Sequence, residues 1–224
     1  VAIAEAGSVP VTVKTRIGVD DNDSEAFLHR FVEIVAKSGV ETFIIHARKA
    51  WLSGLSPKQN REVPPLDHAR VRRLGERFPG LRFVMNGGIE QSDQALAELD
   101  HVEGVMLGRA AYQNPWLLAE LERRLGGAGG VSTRADAVAA MTEYALDQHK
   151  RGVRIASIGR HMLGLFHSQP GARVWRRFLS QRMHREGVGP EVLEAALAQI
   201  CDAGGEATRS GRAGSSQIRS MLLT

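Results

Sequence analysis

The amino-acid sequence predicts a parallel α/β fold followed by a small all-helical domain. Predicted strands and amphipathic helices alternate four times over residues 1–125, the pattern of a parallel sheet with crossover helices. Beyond a glycine-rich linker at residues 126–130, only helical patterns follow. Since a complete (β/α)8 barrel needs about 250 residues, the four βα units correspond to half of a barrel.

The first βα unit begins with a buried strand within residues 9–18, which carries Lys14 near its carboxyl end. The helix that follows can be capped by Asp23 or Ser24 and ended by Gly39. Its apolar positions follow helical spacing: Phe27, Leu28, Phe31, Ile34 and Val35.

The second unit contains an unusually long connection. Its strand, residues 42–45, is rich in aromatic and β-branched side chains and places His46 at its end. The loop that follows reaches a helix at residues 67–78, and loops of this length are usually functional. Several of its side chains suit an RNA surface: Arg48, Lys49, Trp51, Lys58, Asn60 and Arg61. Trp51 can stack on a base or pack the loop against the sheet, and the sequence leaves both open.

The last two units end in glycine-containing motifs. The third strand runs into Asn86-Gly87-Gly88, and Ser92 is expected to cap the next helix. The fourth strand is predicted to end at Gly108-Arg109. Asn114-Pro115 then begins a helix that runs to about Arg124.

The helical domain is predicted over residues 131–202. Thr133 and Asp136 form a capping box before a helix with apolar positions at Val138, Met141, Tyr144 and Ala145. Cys201 is interpreted as a small, partly buried structural thiol. Residues 203–224 are mostly small and polar, and we expect them to be disordered.

The composition narrows the classes of protein. The hydrophobic fraction of 43% and the charged fraction of 24% are those of an ordinary globular protein. No apolar run approaches the roughly 18 residues of a membrane span, and one cysteine fits a reducing cytoplasm. The net charge of +4 and the preference for arginine over lysine permit a nucleic-acid partner, although genome composition alone can also enrich arginine.

Chemistry-bearing residues lie at the ends of all four strands. The carboxyl ends of parallel strands form the active face of a barrel, so these residues are expected to meet: Lys14, His46, Asn86, Gly87, Gly88, Gly108 and Arg109. Each is a weak signal alone, because a lone histidine or a Gly-Gly pair is more often structural. Four successive strand ends of this kind are more informative.

The residue types fit a site for a phosphate-bearing cofactor. Gly87 and Gly88 let backbone N–H groups approach a phosphate closely, and Arg109 adds a bidentate cation. Lys14 can place positive charge against a flavin ring and so stabilise its anionic reduced form. His46 can donate a hydrogen bond to the same cofactor.

The loop at residues 46–67, HARKAWLSGLSPKQNREVPPLD, resembles the signature of the tRNA-dihydrouridine synthases of the A subfamily. Four shorter motifs resemble that family's FMN site: Val13-Lys14-Thr15-Arg16, His46-Ala47-Arg48, Asn86-Gly87-Gly88 and Gly108-Arg109. In the helical domain, HMLGLF and PGARVWRRFLS are similar to the family's RNA-binding domain. The resemblance covers about residues 9–200. It implies that the four strands are the C-terminal half of an FMN-binding barrel.

The resemblance also implies an activity. FMN and NADPH would be the cofactors, and the substrate would be the D-loop of tRNA, in which uridines 20 and 20a are reduced to 5,6-dihydrouridine. The flavin passes hydride to C6 of the uridine, and a cysteine gives a proton to C5. The target base must be turned out of the RNA stack.

Four cations are predicted to contact tRNA: Lys58 and Arg61 of the loop, with Arg173 and Arg176 of the helical domain. On a helix, the three-residue spacing puts Arg173 and Arg176 on one face. A solvated basic face without an RNA partner is the alternative interpretation of this pattern.

The proton-donating cysteine of the family lies upstream of the strand that holds Lys14, in a segment that this chain does not contain. Cys201 is not a substitute for it, so no catalytic residue is predicted within the chain. We therefore expect an inactive C-terminal fragment of a longer enzyme, with two unpaired strand edges and an apolar inner face exposed.

Two other interpretations remain open. A shortened, non-catalytic protein would keep only tRNA binding. A barrel oxidoreductase acting on a small molecule with FMN shares the phosphate motifs, but it does not explain the long loop or the basic helices. For the full-length enzyme we expect a cytoplasmic monomer, with neither a membrane nor a metal ion as a partner.

Overall fold

The computed structural model of the protein describes residues 5–127 and 130–202. The chain divides into two compact units, Val1–Ala111 and Tyr112–Thr224. This division precedes the predicted domain boundary at residue 125, which stays a prediction. Residues 128 and 129 of the predicted linker lie outside the described residues, and so does the predicted disordered tail at residues 203–224.

The first unit contains a four-stranded parallel sheet in the order β1-β2-β3-β4. Its strands are β1 (Thr12–Arg16), β2 (Thr42–His46), β3 (Arg82–Asn86) and β4 (Gly104–Met106). Its helices are α1 (Glu25–Ala36), α2 (His68–Arg77) and α3 (Ser92–Leu99), and α4 (Arg109–Gln113) begins in this unit and ends in the second. The predicted parallel α/β class is therefore confirmed, while the assignment to half of a barrel stays a prediction.

The strands pair in register, so residues at their ends lie side by side. Arg16 pairs with His46, His46 with Asn86, and Asn86 with Met106. Alternate residues face opposite sides of a strand. On one face of the sheet, β2 and β3 contribute the fully buried side chains Phe43, Ile45, Phe83 and Met85, and the other face carries the row of polar residues.

Two helix starts show how local sequence sets the boundaries. Ser24 caps α1 as predicted, and its Oγ accepts a hydrogen bond from the N–H of Phe27 at 3.1 Å. The prediction that Ser92 caps α3 is wrong, because Gln91 occupies the cap position and Ser92 is buried inside the helix. The N–H of Gln91 donates to Oε1 of Gln94, so an amide replaces the expected hydroxyl.

Some predicted apolar faces are only partly buried. In α1, Leu28 and Val32 form the buried stripe, whereas Phe27 and Ile34 are exposed. Strand β4 ends at Met106, two residues earlier than predicted, and Arg109 begins α4. The five apolar positions at helical spacing in α1 therefore do not specify which of them are buried.

The second unit is helical throughout its described part. Its helices are α5 (Trp116–Arg124), α6 (Arg134–Lys150), α7 (Ile155–Gly159), α8 (Ala172–Arg182) and α9 (Val192–Asp202). The predicted capping box of α6 is confirmed, because Thr133 Oγ1 accepts from the N–H of Asp136, and the Asp136 carboxylate accepts from the N–H of Thr133.

The core of the helical unit is built around Trp175. This side chain is fully buried, and its Nε1–H donates to the carbonyl of Met162 at 2.9 Å. Its ring lies 4.8 Å from that of Phe166. Two sequence-based expectations are wrong here, because Tyr144 is exposed and the thiol of Cys201 is exposed.

Across residues 5–127 and 130–202, none of the helices has the length and the apolar character that crossing a membrane requires.

Candidate functional site

An open cavity of about 390 Å³ lies at the carboxyl ends of the strands in the first unit. All seven residues predicted at the strand ends line it: Lys14, His46, Asn86, Gly87, Gly88, Gly108 and Arg109. The pairing register explains this convergence, since it aligns the strand ends at one edge of the sheet. That these residues bind a cofactor stays a prediction.

Asn86 and the two glycines form the turn after β3. The Asn86 amide donates to the carbonyl of Met106 at 2.8 Å and ties β3 to the end of β4. Gly87 has a φ of 106°, and a Cβ there would lie 3.2 Å from the His46 ring. Gly88 has a φ of 71°, and a Cβ there would lie 2.3 Å from Leu66. Glycine is therefore strongly favoured at both positions, because other residues rarely adopt these positive φ values.

The Gly87 turn is supported by a chain of polar side chains. His68 Nε2 lies 2.7 Å from the Gly87 carbonyl, and its Nδ1 lies 3.1 Å from the Glu98 carboxylate. Arg72 donates two hydrogen bonds to Glu98, and these hold the pKa of that carboxyl below its usual range. These contacts hold the Gly87 turn in position.

His46 is a half-buried, uncharged group among cations. Burial lowers the pKa of its imidazole to about 4, and the positive charge of Arg16 adds to the shift. Further contributions come from Lys14, Arg48 and Arg109. Its buried Nδ1 has no hydrogen-bond partner in the part of the chain that the structure describes. At neutral pH the ring is therefore neutral and can pair with a bound group.

We expect the His46 imidazole to stay neutral until the pH falls to about 4, measured by NMR of the ring protons. In the unfolded chain the group titrates near 6.5, so the folded state binds fewer protons between these values. The stability that depends on neutral His46 is then complete above pH 6.5 and is lost as the pH falls through about 4. The stability of wild type relative to His46→Gln should fall in this window.

The control for this titration is Arg16→Gln. It removes the cation whose charge lowers the pKa of His46 the most. We expect it to raise the pKa of His46. A His46 resonance that titrates near 6.5 in the wild-type protein would contradict the described environment.

Arg109 is held at the cavity by an acidic residue. Its Nη1 pairs with Oε1 of Glu62, and both side chains are about half exposed. The sequence analysis did not identify Glu62 as a site residue. In the sequence, only the position of Glu62 could have identified it, because it is a single carboxylate directly after the cation-rich stretch that ends in Arg61.

Arg16 was quoted within a motif but was not predicted as a site residue. It lines the cavity, and its Nη1 donates to the carbonyls of Lys49 and Asn60, each at 2.9 Å. Burial lowers its pKa, and the charges of Arg48 and Arg61 contribute. The sequence could have identified Arg16 as a site residue from its position two residues after Lys14, because alternate residues of a strand lie on the same face.

The loop after β2 is closed by reciprocal contacts. The Asn60 amide accepts from the N–H of Trp51 at 2.8 Å and donates to its carbonyl at 2.6 Å. Lys49 reaches back to the Asp23 carboxylate at 2.7 Å. Trp51 is half-buried, with the ammonium of Lys49 5.8 Å from its ring centre. The ring is thus held within the loop, with part of its surface free.

The predicted RNA-contacting cations have different locations. Lys58 is exposed before a 3₁₀ helix (Gln59–Arg61), whereas Arg61 lines the cavity. Arg173 and Arg176 are exposed on α8. Arg177, which the sequence analysis missed, is exposed beside them. The helical period places Arg173 and Arg177 opposite Trp175, whereas Arg176 lies at the side of the buried stripe.

Comparison with known proteins identifies relatives of most of the chain. The sequence model of the family described as dihydrouridine synthase (Dus) matches residues 1–201. A tRNA-dihydrouridine(20/20a) synthase of Vibrio parahaemolyticus is 52% identical over 201 residues, which are 89% of this chain and 62% of that relative. Proteins of the same name from Salmonella typhimurium and Escherichia coli K12 are each 52% identical over 205 residues, 90% of this chain.

The matched region covers 61% of the Salmonella relative and 59% of the Escherichia coli relative. The chain thus spans about three fifths of the length of the relatives that it matches. The family match itself extends over the cavity residues, the long loop and the helical unit. The chain therefore belongs to the dihydrouridine synthase family.

Proposed function

We propose that this chain forms the flavin-phosphate and RNA-contacting parts of a tRNA-dihydrouridine synthase. The observation that carries the proposal is the convergence of seven chemistry-bearing residues on one cavity in a chain of this family. The relatives are named for positions 20 and 20a of tRNA, and we infer the same uridines as the substrate. The four-stranded sheet would be the C-terminal half of the (β/α)8 barrel, and the protein would act in the cytoplasm.

The residues present fit FMN. The open glycine turn at Gly87 and Gly88 suits close approach of phosphate oxygens, and Arg109 can add a bidentate cation. The unpartnered Nδ1 of His46 is a buried polar atom suited to a polar group of the cofactor. When bound, FMN would supply the hydride for C6 of the uracil, with NADPH as the source of electrons.

The charge of the cavity supports the same assignment. Lys14, Arg16 and Arg61 add positive charge to that of Arg109 in a partly enclosed site, where cations act more strongly than in water. Such a site favours the binding of a phosphate group and of an anionic, reduced flavin ring. His46 remains neutral there, so it serves as a hydrogen-bonding group rather than as a further cation.

The proton donor is proposed to come from outside the residues of this cavity. No cysteine is among the described residues that line it, and the exposed Cys201 belongs to the helical unit. The chain by itself is therefore proposed to bind cofactor and RNA without completing the reduction.

We assign tRNA contact to Lys58 and Arg61 of the loop and to Arg173 and Arg176 of α8. Exposed cations supply most of the affinity for a phosphate backbone. The loop is tied down by Arg16 and Asn60, so its cations are presented with little loss of conformational entropy on binding.

The proposed function is tested by deleting the gene in its source organism. We expect uridines 20 and 20a of its tRNAs to lose their dihydrouridine, measured by mass spectrometry of isolated tRNA. Reintroducing the full-length gene should restore the modification, whereas a gene for these 224 residues alone should not. Unchanged dihydrouridine at both positions in the deletion strain would reject this function.

A further inference from the structure

A second cavity, of about 370 Å³, lies within the helical unit. It is formed where the end of α6, the start of α7 and the segment after α8 meet, and His149, Arg154 and His184 are among its lining residues. This volume is near the lower end of the range for small-ligand pockets. It corresponds to a ligand of about the size of one nucleotide.

The floor of this cavity is apolar. Ile155 and Met183 line it and are almost completely buried in the hydrophobic core of the unit, and Val188 packs against that core. Apolar side chains and a polarisable thioether give favourable contact with the face of an aromatic ring. An inorganic anion has no apolar surface, so it would gain no binding energy from such a floor.

The rim is cationic. Arg154 and Arg185 are exposed at the cavity, and in the described ranges no carboxylate forms a salt bridge with either guanidinium. Glu186 is the single acidic residue among the described lining residues. Two unpaired guanidinium groups suit a phosphate, and the lone carboxylate can accept a hydrogen bond from an N–H at the edge of a base.

Two histidines complete the polar rim. His149 Nδ1 lies 3.3 Å from the carbonyl of Val153. A carbonyl can only accept, so Nδ1 carries the proton and Nε2 remains available to a ligand. His184 is exposed on the segment after α8. Both rings can stack on or hydrogen-bond to a base.

We propose that this cavity binds one unpaired nucleotide of RNA, with the base on the Ile155–Met183 floor and its phosphate at Arg154 and Arg185. An apolar floor below two free cations matches an aromatic base joined to an anion, and a double helix cannot enter a cavity of this size. That the RNA is tRNA rests on the proposed function. The nucleotide site itself rests on the cavity.

The first test titrates the 224-residue chain with uridine 5′-monophosphate and follows the imidazole NMR signals of His149 and His184. We expect saturable shifts at lower concentrations than uridine or inorganic phosphate requires, because only the nucleotide carries both groups. The double variant Arg154→Ala/Arg185→Ala should weaken nucleotide binding at least tenfold. Arg154 makes no side-chain cap bond to α7, so its loss leaves the helix start intact.

The second test measures tRNA affinity against salt concentration. The same double variant should lower the slope of log affinity against log salt by about 1 to 2, the loss of one or two phosphate contacts. The matched control, Arg30→Ala/Lys37→Ala, removes one exposed cation within α1 and one directly after it, both in the other unit, and should leave the nucleotide titration unchanged.

Each outcome decides the proposal. Absence of nucleotide-induced shifts at His149 and His184 overturns the site. Nucleotide binding together with an unchanged tRNA slope assigns the cavity to free mononucleotides and overturns the RNA assignment. If the wild-type chain binds the mononucleotide but no tRNA, the proposed function fails while the chemistry of the cavity stands.

Discussion

Replacing Arg109 with alanine should weaken FMN binding about ten- to hundredfold, because a charge-assisted hydrogen bond to phosphate contributes about 1.5–3 kcal/mol. The guanidinium lies at the cavity beside the glycine turn, where a phosphate can take the place of the carboxylate that now pairs with it. The measurement is quenching of FMN fluorescence on titration with protein, so it does not depend on catalysis.

Glu62→Gln is the matched variant for this experiment. The Glu62 carboxylate competes for the Arg109 guanidinium, and an exposed pair of this kind contributes about 0.2–1 kcal/mol. Removing its charge should tighten FMN binding by up to about fivefold. Equal FMN affinity in Arg109→Ala and the wild type would contradict the phosphate assignment, and weaker binding in Glu62→Gln would contradict the competition.

Replacing Trp175 with alanine should destabilise the helical unit by about 3–5 kcal/mol, the usual cost of removing a large buried aromatic side chain. The indole is fully buried against Phe166, and its loss also removes the hydrogen bond to the Met162 carbonyl. Hydrogen exchange of the α8 and α9 amides measures the effect. This method reports each unit separately, whereas a single two-state transition is not expected for two units.

Trp51→Ala removes the same side chain from a different environment. Trp51 is half-buried in the loop of the first unit, so its replacement should leave hydrogen exchange in α8 and α9 unchanged. Trp175→Phe keeps most of the ring and loses the donor, and it should cost about 1–2 kcal/mol. Wild-type exchange rates in Trp175→Ala would mean that the indole does not hold this core together.

The strand-end cavity and the long loop share one structural element. Arg16 lines the cavity and also holds the carbonyls of Lys49 and Asn60. Asn60 in turn fixes both backbone polar groups of Trp51. The loop that carries Lys58 is therefore anchored by the same strand end that contributes to the cavity.

Local sequence signals determined most of the framework. The alternation of strand and helix patterns predicted the parallel sheet, and Ser24 and Thr133 predicted two helix starts correctly. The positions of the strand ends in the sequence predicted which residues line the cavity. A parallel register aligns those ends whatever the details of packing. These properties depend on spacing within a few residues, which a sequence displays directly.

Tertiary structure alone decided the rest. Arg61, for which tRNA contact stays a prediction, is exposed and also lines the cavity, and Glu62 was found as the partner of Arg109 across 47 residues of chain. Helical spacing marked Phe27 as core, yet it is exposed, and Cys201 is exposed where burial was expected. Which side of an amphipathic helix is covered, and which loop side chain turns inward, depend on contacts between distant segments. Those contacts form only when the strands are in register and the loop is tied to Arg16, so a short stretch of sequence does not encode them.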